Sequence, residues 1–524
     1  MDLRFPFNDS GRLNRRAFVA ASASLASAAL WSSRAQGVLR QSIAFSAYPF
    51  SLGVASGDPT PDGVVLWTRL APKPLAGGGM PDDAIEVAWQ VAEDEQFNKV
   101  ARQGTTAATP EWAHSVHVEV DGLQPGRWYW YQFKAGGEVS PKGRTRTMPP
   151  LEATAPALRF AFASCQHFEA GYYTAYEHML REDVDLVFHL GDYIYEGAAR
   201  DDRVRKHIGA KVATLDDYRN RYAQYRSDPA LLAMHAAAPW VVTWDDHEVE
   251  NNYAGPFPED VKVSQADFLK RRALGYQAYY EHMPLRRSSL PQGSDMPIYR
   301  RLPYGQLANF YVLDTRQYRT DQPCGDGHKQ PTEAVYDPQA TILGQAQRTW
   351  LLDSLGTSQA KWNVLAQQVM IARIDYAAGD LEVLDMDKWA GYETERRQVL
   401  KFMADHNVAN PVVLTGDIHS NWACDLRTDF EKSNAKPVGV EFTGTSISSS
   451  GDGTQKPRSH DTLLAENPFL KFYNAERGYV LCQVSPGKWQ ADYRVVEYVT
   501  RHGAPLVTRA SFVVEDGQRS MVPA

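Results

Sequence analysis

The sequence lacks the features that mark several protein classes. No apolar run reaches the roughly 20 residues that a membrane-spanning helix needs, so an integral membrane protein is not expected. Lys and Arg number 55 against 63 Asp and Glu, and this net charge of −8 gives no reason to expect a nucleic-acid partner. Only four cysteines occur in 524 residues, which excludes a small disulfide-stapled scaffold. The length and the 43% of hydrophobic residues predict a globular protein with more than one domain.

Residues 1–35 differ in composition from the rest of the chain. Arg12, Arg15 and Arg16 precede an apolar run of small residues from Ala17 to Trp31, and Ser33-Arg34-Ala35 is a suitable cleavage sequence. The segment around the arginine pair resembles the twin-arginine signal, which exports folded proteins. An ordinary secretion signal or a chance arginine pair is the alternative. We therefore expect the twin-arginine export machinery as a partner, and a periplasmic or secreted mature protein.

Residues 45–150 have the alternation of β-strands. Apolar residues recur at every second position in segments such as 85–91, 116–120 and 129–133, and turn clusters separate these segments. This pattern predicts short antiparallel strands of a β-sandwich. Leu123-x-Pro125-x-x-x-Tyr129 resembles the tyrosine corner of fibronectin type III domains. We expect a fibronectin III-like sandwich in which Tyr129 has a structural role.

Between residues 155 and 516 apolar strands alternate with helical segments, which predicts an α/β catalytic domain. Four of the strands run directly into polar clusters, namely Ser164–His167, Gly191–Glu196, Asp245–Glu248 and Gly416–Asn421. Ligands of open α/β sheets bind at the carboxyl ends of the strands, so we expect the four clusters to converge. Each cluster alone is also typical of an ordinary turn. Together they supply a thiol, carboxylates, a phenol and an imidazole, which indicate a metal site.

Cys165 has two interpretations. In an exported protein a cysteine is by default a disulfide partner, whereas a metal ligand is held as the thiolate. Its position directly after a predicted buried strand favours the ligand interpretation. Cys324 is expected in a surface loop or in a disulfide, and Cys424 and Cys482 are expected to be core thiols.

The order of these motifs is similar to that of calcineurin-like and purple acid phosphatase dimetal sites, and it most closely resembles the alkaline phosphatase D family. The motifs that carry the resemblance are Phe162–Gln166, Leu190–Glu196, Trp244–Glu248 and Thr415–Ser420. The resemblance covers essentially the whole chain. It implies an N-terminal β-sandwich followed by a four-layer α/β metallophosphoesterase domain, with secreted phosphodiesterase and phosphomonoesterase activity.

The resemblance also implies Fe³⁺ beside Ca²⁺. The implied metal ligands are Cys165, Asp192, Tyr195, Asp246, Asp417 and His419. Thiolate and phenolate are strong anionic donors that suit a ferric ion, and Asp192 stands where the family's carboxylate bridges the two metals. Asp246 and Asp417 replace an Asn and a His of the purple acid phosphatase pattern. This replacement adds oxygen donors to the second site, which favours calcium over zinc there.

A further motif, Asp385–Arg397, resembles the family's Asp-x-Trp-x-Gly-Tyr-x-x-Glu-Arg stretch. Asp387 is expected either to bind calcium or to shape the pocket, and Asp385 is the weaker candidate. Arg396 is expected either to steer a phosphate or to pair with a nearby carboxylate.

Two other segments near the motifs are ambiguous. Asn251 and Asn252 could supply additional oxygen ligands, although Asn is also common in turns for conformational reasons. Asp314-Thr315-Arg316 follows a predicted strand, and we expect it to serve structure rather than catalysis.

The expected reaction is metal-dependent hydrolysis of phosphate mono- and diesters. A metal-bound hydroxide would attack phosphorus while the metal pair neutralises the phosphoryl oxygens. His247, next to Asp246, would contact phosphate or protonate the leaving group as a general acid. One alternative is a dedicated phosphodiesterase acting on phospholipid or teichoic-acid-like polymers. Another is a non-catalytic protein that binds a surface polymer and whose metal site is coordinatively closed.

Overall fold

The computed structural model describes residues 43–432 and 434–524. The predicted export signal at residues 1–35 lies outside these ranges. Within them, no helix is both long enough and apolar enough to cross a membrane.

The first eight strands form two antiparallel sheets that share one core. They are β1 (Val54–Thr60), β2 (Gly63–Arg69), β3 (Ile85–Ala92), β4 (Val100–Ala108), β5 (Ser115–Val120), β6 (Trp128–Ala135), β7 (Glu138–Val139) and β8 (Gly143–Arg146). β1, β2 and β5 pair in one sheet, and the other five strands pair in the second. Val87, Val118 and Tyr131 pack together in the core between the sheets. Their alternation with more exposed residues explains the period of two in the sequence.

Tyr129 closes a corner of this region. Its side chain is buried, and its hydroxyl oxygen accepts a hydrogen bond from the backbone N–H of Gln124 at 2.8 Å. The contact fixes the turn that precedes β6, in agreement with the structural role predicted for Tyr129.

Sixteen further strands and seven helices build the rest of the described chain. The strands are β9 (Leu158–Ala163), β10 (Leu186–Leu190), β11 (Trp240–Thr243), β12 (Arg300–Tyr304), β13 (Ala308–Val312), β14 (His328–Lys329), β15 (Trp362–Ala366), β16 (Leu384–Asp385), β17 (Pro411–Thr415), β18 (Asn421–Arg427), β19 (Pro437–Thr443), β20 (Gly453–Thr454), β21 (Leu470–Val484), β22 (Lys488–Val496), β23 (Leu506–Glu515) and β24 (Val522–Pro523). The helices are α1 (Thr174–Met179), α2 (Leu215–Arg226), α3 (Pro229–Ala237), α4 (Gln265–His282), α5 (Gly344–Gly356), α6 (Glu393–Asp405) and α7 (His460–Glu466).

Most of these strands belong to two sheets joined by the long strand β21. The first sheet has the order β11-β10-β9-β21-β22-β23-β24, in which β9, β10 and β11 are parallel. The second has the order β12-β13-β15-β17-β19-β18-β21. Residues 470–474 of β21 pair with β18 of the second sheet, and residues 480–484 pair with β9 of the first. One strand therefore fixes the position of the two sheets relative to each other.

Apolar residues fill the space between the two sheets. Phe160 of the first sheet contacts Phe310 of the second, with ring centroids 5.5 Å apart. α2 and α4 pack on the other face of the first sheet, and α5 and α6 pack on the other face of the second. Because both faces of each sheet are covered, β10 and β17 are buried along their whole length.

The N-terminal strands join the first sheet directly. Gly57 of β1 pairs in parallel register with Trp240 of β11, so the sheet continues across the boundary. A Cβ atom at Gly57 would lie 2.5 Å from the carbonyl oxygen of Pro284 and 2.7 Å from that of Trp240. This close approach of backbones requires glycine at position 57.

Candidate metal centre

The polar clusters that follow four strands meet at one place, as the motifs predicted. Three clusters follow β9, β10 and β11 of the first sheet, and the fourth follows β17 of the second. Cys165, Asp192, Asp417 and His419 all adopt left-handed backbone conformations, with φ between 55° and 64°. Such conformations are uncommon for non-glycine residues and concentrate at functional sites. The tight turns bring side chains from both sheets to a common point.

The first group of side chains combines a thiol, a carboxylate, a phenol and an imidazole. The ligand atoms of Cys165, Asp192 and His419 all lie within 4.8 Å of one another. The Tyr195 hydroxyl donates a hydrogen bond to Asp192 Oδ2 at 2.8 Å and lies 3.1 Å from His419 Nε2. Ser449 Oγ lies 2.8 Å from the same hydroxyl. These are the four residues predicted to hold the first ion.

Burial sets the protonation of this group. Burial, reinforced by the Asp192 carboxylate, raises the pKa of the Cys165 thiol and of the Tyr195 phenol well above their ordinary values. Burial and the nearby Arg477 lower the pKa of His419 to about 3. The imidazole is therefore neutral, the form in which histidine binds metals. A bound cation would favour the anionic thiolate and phenolate.

The second group consists mainly of carboxylates. Ligand atoms of Asp245, Asp246 and Asp417 lie within 4.8 Å of one another, and the same holds for Asp192, Asp246 and His247. Asp192 thus belongs to the group of Cys165 and His419, which we call the thiol side. It also belongs with Asp246 to the carboxylate side, which includes Asp245 and Asp417. This shared position fits the bridging role predicted for it.

Glu248, for which the sequence alone indicated no role, holds two of the turns together. Its carboxylate accepts hydrogen bonds from the backbone N–H groups of Asp192 (3.2 Å), Tyr193 (2.5 Å) and Asp245 (2.9 Å). A Cβ atom at Gly191 would lie 2.4 Å from Asp245 Cβ, so the same two turns also touch directly. The sequence shows a glutamate directly after the Asp246-His247 pair. The backbone N–H groups that its carboxylate meets depend on the register of β10 and β11, which the sequence does not show.

Arg316 lies among the carboxylates, and its ion pairs with them fit the structural role expected for its segment. Its guanidinium donates hydrogen bonds to Asp245 Oδ1 (2.5 Å) and to both carboxylate oxygens of Asp387 (2.8 and 2.9 Å). Arg316 Nη2 lies 3.8 Å from Asp246 and 3.6 Å from Asp417. Sequence spacing could not show that Arg316 follows β13 at the end nearest these carboxylates.

Asp387 is held by arginines. In addition to the two bonds from Arg316, it accepts one from Arg319 at 2.7 Å and one from Gln322 at 3.0 Å. The two arginines overcome the effect of burial and hold the pKa of this carboxyl well below its ordinary value. Of the two predicted roles, these contacts favour shaping of the pocket over calcium binding. Asp385 lies nearby and is within 4.0 Å of Lys388.

Arg396 lies in α6 and is fully buried. Its guanidinium donates hydrogen bonds to both carboxylate oxygens of Glu393, at 2.7 and 2.6 Å, and it packs over the ring of Phe430. The helical spacing of three residues explains the pair. Of the two roles considered for Arg396, the structure supports pairing with a carboxylate. The phosphate role has no support in this geometry.

His247 combines contact with the centre and access to solvent. Its backbone N–H lies 3.4 Å from Asp192 Oδ1, its ring packs against Tyr195 with centroids 4.1 Å apart, and its side chain is 18% exposed. His247 Nδ1 lies 2.8 Å from Glu196 Oε2. Although burial opposes it, the carboxylates of Asp246, Asp192 and Glu196 raise the pKa of His247 well above its ordinary value. A histidine in this position can donate a proton to a leaving group.

The remaining predicted residues have supporting contacts. The backbone N–H of Asn252 donates to Asp246 Oδ2 at 2.6 Å, and the side-chain amides of Asn251 and Asn252 donate to Glu259 and Asp326.

The four cysteines are free thiols, namely Cys165, Cys324, Cys424 and Cys482. Cys165 therefore has no disulfide that would compete with metal binding.

Comparison with known proteins identifies the family. The model of the PhoD-like phosphatase family matches residues 160–493, which is more than half of the chain. The chain belongs to the PhoD-like phosphatase family. The model of the N-terminal domain of PhoD-like phosphatases matches residues 35–149.

Individual members of the PhoD-like phosphatase family are similar over nearly the whole chain. Alkaline phosphatase D of Bacillus subtilis (strain 168) is 53% identical over 517 residues, which are 97% of this chain and 88% of the relative. A solved structure described as PhoD is 55% identical, with a TM-score of 0.90, and the match covers 92% of this chain and 93% of that one. The family and the phosphatase class predicted from the motifs are confirmed.

Proposed function

We propose that this chain hydrolyses phosphate mono- and diesters at a two-metal centre. One observation carries the proposal: Asp192 belongs to two neighbouring groups of ligand atoms, one with Cys165 and His419 and the other with Asp246 and His247. Two-metal hydrolases use two ions held close together to act on one phosphoryl group. The membership of the chain in a phosphatase family supports the same reaction.

The two groups suit different ions. We assign Fe³⁺ to Cys165, Asp192, Tyr195 and His419, because this group offers thiolate and phenolate donors and a neutral imidazole. We assign Ca²⁺ to Asp192, Asp246 and Asp417, because hard carboxylate oxygens are the preferred ligands of calcium. Asp387 shapes this second side through Arg316 and Arg319.

When bound, the metal pair supplies the positive charge that activates water and neutralises phosphoryl oxygens. The chain's own residues then position and protonate. His247 is oriented by Glu196 and donates a proton to the leaving oxygen. Arg316 lies among the carboxylates and holds Asp245 and Asp387 in place, and Glu248 fixes the turns that carry Asp192 and Asp245. Arg396, which is paired with Glu393, has no part in the reaction.

The architecture that we propose follows the expected division of the chain. Residues 45–150 form a fibronectin III-like sandwich, for which the shared core of two N-terminal sheets is the support. Residues 155–516 form a four-layer metallophosphoesterase domain. The helices on the outer faces of two packed sheets support this arrangement.

We also propose that residues 1–35 direct export by the twin-arginine machinery, so that the enzyme releases phosphate in the periplasm or outside the cell. The arginine pair Arg15-Arg16 and the apolar run after it support this route. Replacement of both arginines by lysine is expected to leave the protein in the cytoplasmic fraction. Normal export of this variant would exclude the twin-arginine route.

Metal analysis and the visible spectrum of the exported protein test the metal assignment. We expect iron and calcium, with a charge-transfer band that is lost in Cys165→Ser or Tyr195→Phe. Cys424→Ser is the matched control, because Cys424 is also a buried free thiol but lies in β18 and outside the metal-binding groups. Zinc in both positions without colour would contradict the ligand assignment. Initial rates on p-nitrophenyl phosphate and bis(p-nitrophenyl) phosphate, measured on the same preparation, test activity on both ester classes.

A further inference from the structure

Positively charged side chains are distributed unevenly over the centre. On the carboxylate side, Arg316, Arg319 and Lys388 form ion pairs with Asp245, Asp387 and Asp417. On the thiol side, no lysine or arginine of the described chain forms an ion pair with Asp192. The two halves of the centre therefore differ in how much of their negative charge is already balanced by the protein.

Lys388 is the cation with the most direct contact to a predicted metal ligand. Its Nζ atom forms an ion pair with Asp417 Oδ2 and lies 3.4 Å from Asp387 Oδ2. The side chain is only 10% exposed. Both oxygens of Asp387 already accept hydrogen bonds from Arg316. Asp417 is thus the carboxylate that depends most on Lys388 for a counter-charge.

The ion pair between Lys388 and Asp417 is a contact that can be exchanged. Lys388 Nζ supplies a full positive charge to Asp417 Oδ2 in this ion pair. Lysine carries its charge on a flexible four-carbon stem, whereas the guanidinium of Arg316 is locked by several bonds. Lys388 is therefore the group that can leave Asp417 when another cation arrives.

We propose that Lys388 competes with the second metal ion for Asp417 and makes the carboxylate side the weaker, exchangeable half of the centre. The inference rests on the two-metal function proposed above. A divalent ion at Asp417 must either displace the lysine ammonium or bind against its repulsion. The cations near the thiol side are held by other groups, since Arg477 donates to the backbone oxygen of His419 and His247 pairs with Glu196, so this side keeps its ion. Lys388 acts through Asp417 and is a positioning residue.

Calcium titration of the iron-containing protein tests this inference. Calcium is first removed by dialysis against a chelator, and iron content is checked afterwards. Isothermal titration calorimetry then gives the calcium dissociation constant for the wild type, Lys388→Met, Lys388→Arg and the control Lys401→Met. Lys401 forms an exposed ion pair with Asp405, so its replacement removes the same charge away from the centre.

We expect Lys388→Met to bind calcium at least about tenfold more tightly than the wild type, because a repelling unit charge is removed. Lys388→Arg keeps the charge and is expected to bind calcium no more tightly than the wild type, and Lys401→Met is expected to bind like the wild type, with iron content equal in all four proteins. If Lys388 only held Asp417 in place, Lys388→Met would bind calcium more weakly. Equal or weaker binding by Lys388→Met, with wild-type binding intact, would overturn the inference.

Absence of calcium binding in every protein would instead overturn the two-metal assignment. Lys388→Gln gives the same comparison if the methionine variant does not fold, which circular dichroism reveals.

Discussion

His247 Nδ1 donates a hydrogen bond to Glu196 Oε2 at 2.8 Å. Burial alone would raise the pKa of Glu196, but the charge and the hydrogen bond of His247 lower it to about 2. The carboxylate is therefore ionised and fixes the orientation of the ring beside Asp192. A histidine held in this way is positioned to protonate a leaving group. The sequence motif alone could not show this orientation of the ring.

Replacement of His247 is expected to affect substrates according to their leaving groups. His247→Gln should lower kcat for an alkyl phosphate by about 10²–10⁴-fold, the range for loss of a general acid. The loss should be much smaller for p-nitrophenyl phosphate, because p-nitrophenolate leaves without protonation. Steady-state kinetics on the two esters measure the difference. An equal loss on both would indicate that His247 binds phosphate rather than protonates the leaving group.

Asp192 and Asp417 are expected to differ in the number of ions that they control. Asp192→Asn should lower the content of both iron and calcium, because its carboxylate belongs to both groups of ligand atoms. Asp417→Asn should lower calcium and leave iron nearly unchanged. Elemental analysis by mass spectrometry of the purified proteins gives both contents. Retention of iron in Asp192→Asn would contradict the bridging role of Asp192.

The sequence was sufficient to predict the residues at the strand ends, since Cys165, Asp192 and Asp417 each follow an apolar strand directly. Strand ends and ligand types are local features of the chain. The sequence did not show which sheet each strand enters, and β17 lies in the second sheet rather than beside β10. The convergence of clusters from two sheets depends on packing over long sequence separations.

The charged partners of the site were harder to predict. Arg316 and Lys388 lie in separate segments, and only the fold brings both to the carboxylate side. Arg396 stands in a motif that resembles the family's, yet it pairs with Glu393 one helical turn away. A motif can give the residue type and the spacing, but it does not give the direction of a long side chain.

The junction between β1 and β11 gives a prediction on stability. Gly57→Ala should destabilise the protein by about 1–3 kcal/mol, because the added methyl group meets two carbonyl oxygens closer than 3 Å. Gly137→Ala is the control, since no atom lies within 4 Å of a Cβ atom there. Urea unfolding monitored by tryptophan fluorescence measures both variants. A Gly57→Ala protein as stable as the wild type would show that the two parts of the chain can separate at this pairing without loss.

His189 gives a prediction on acid stability. It is buried in β10, and burial lowers its pKa to about 3. In the unfolded chain the pKa of histidine is about 6.5, so the unfolded state binds the additional proton between these two values. The stabilising effect of the neutral ring is fully present above about pH 6.5 and is lost progressively as the pH falls toward 3.

His189→Leu removes this titration. We expect the free energy of unfolding of the variant to fall less steeply with decreasing pH, by about 1.4 kcal/mol per pH unit between about pH 6 and 4. Urea unfolding at a series of pH values gives both slopes, and identical slopes would show that the His189 ring does not remain neutral in the folded protein.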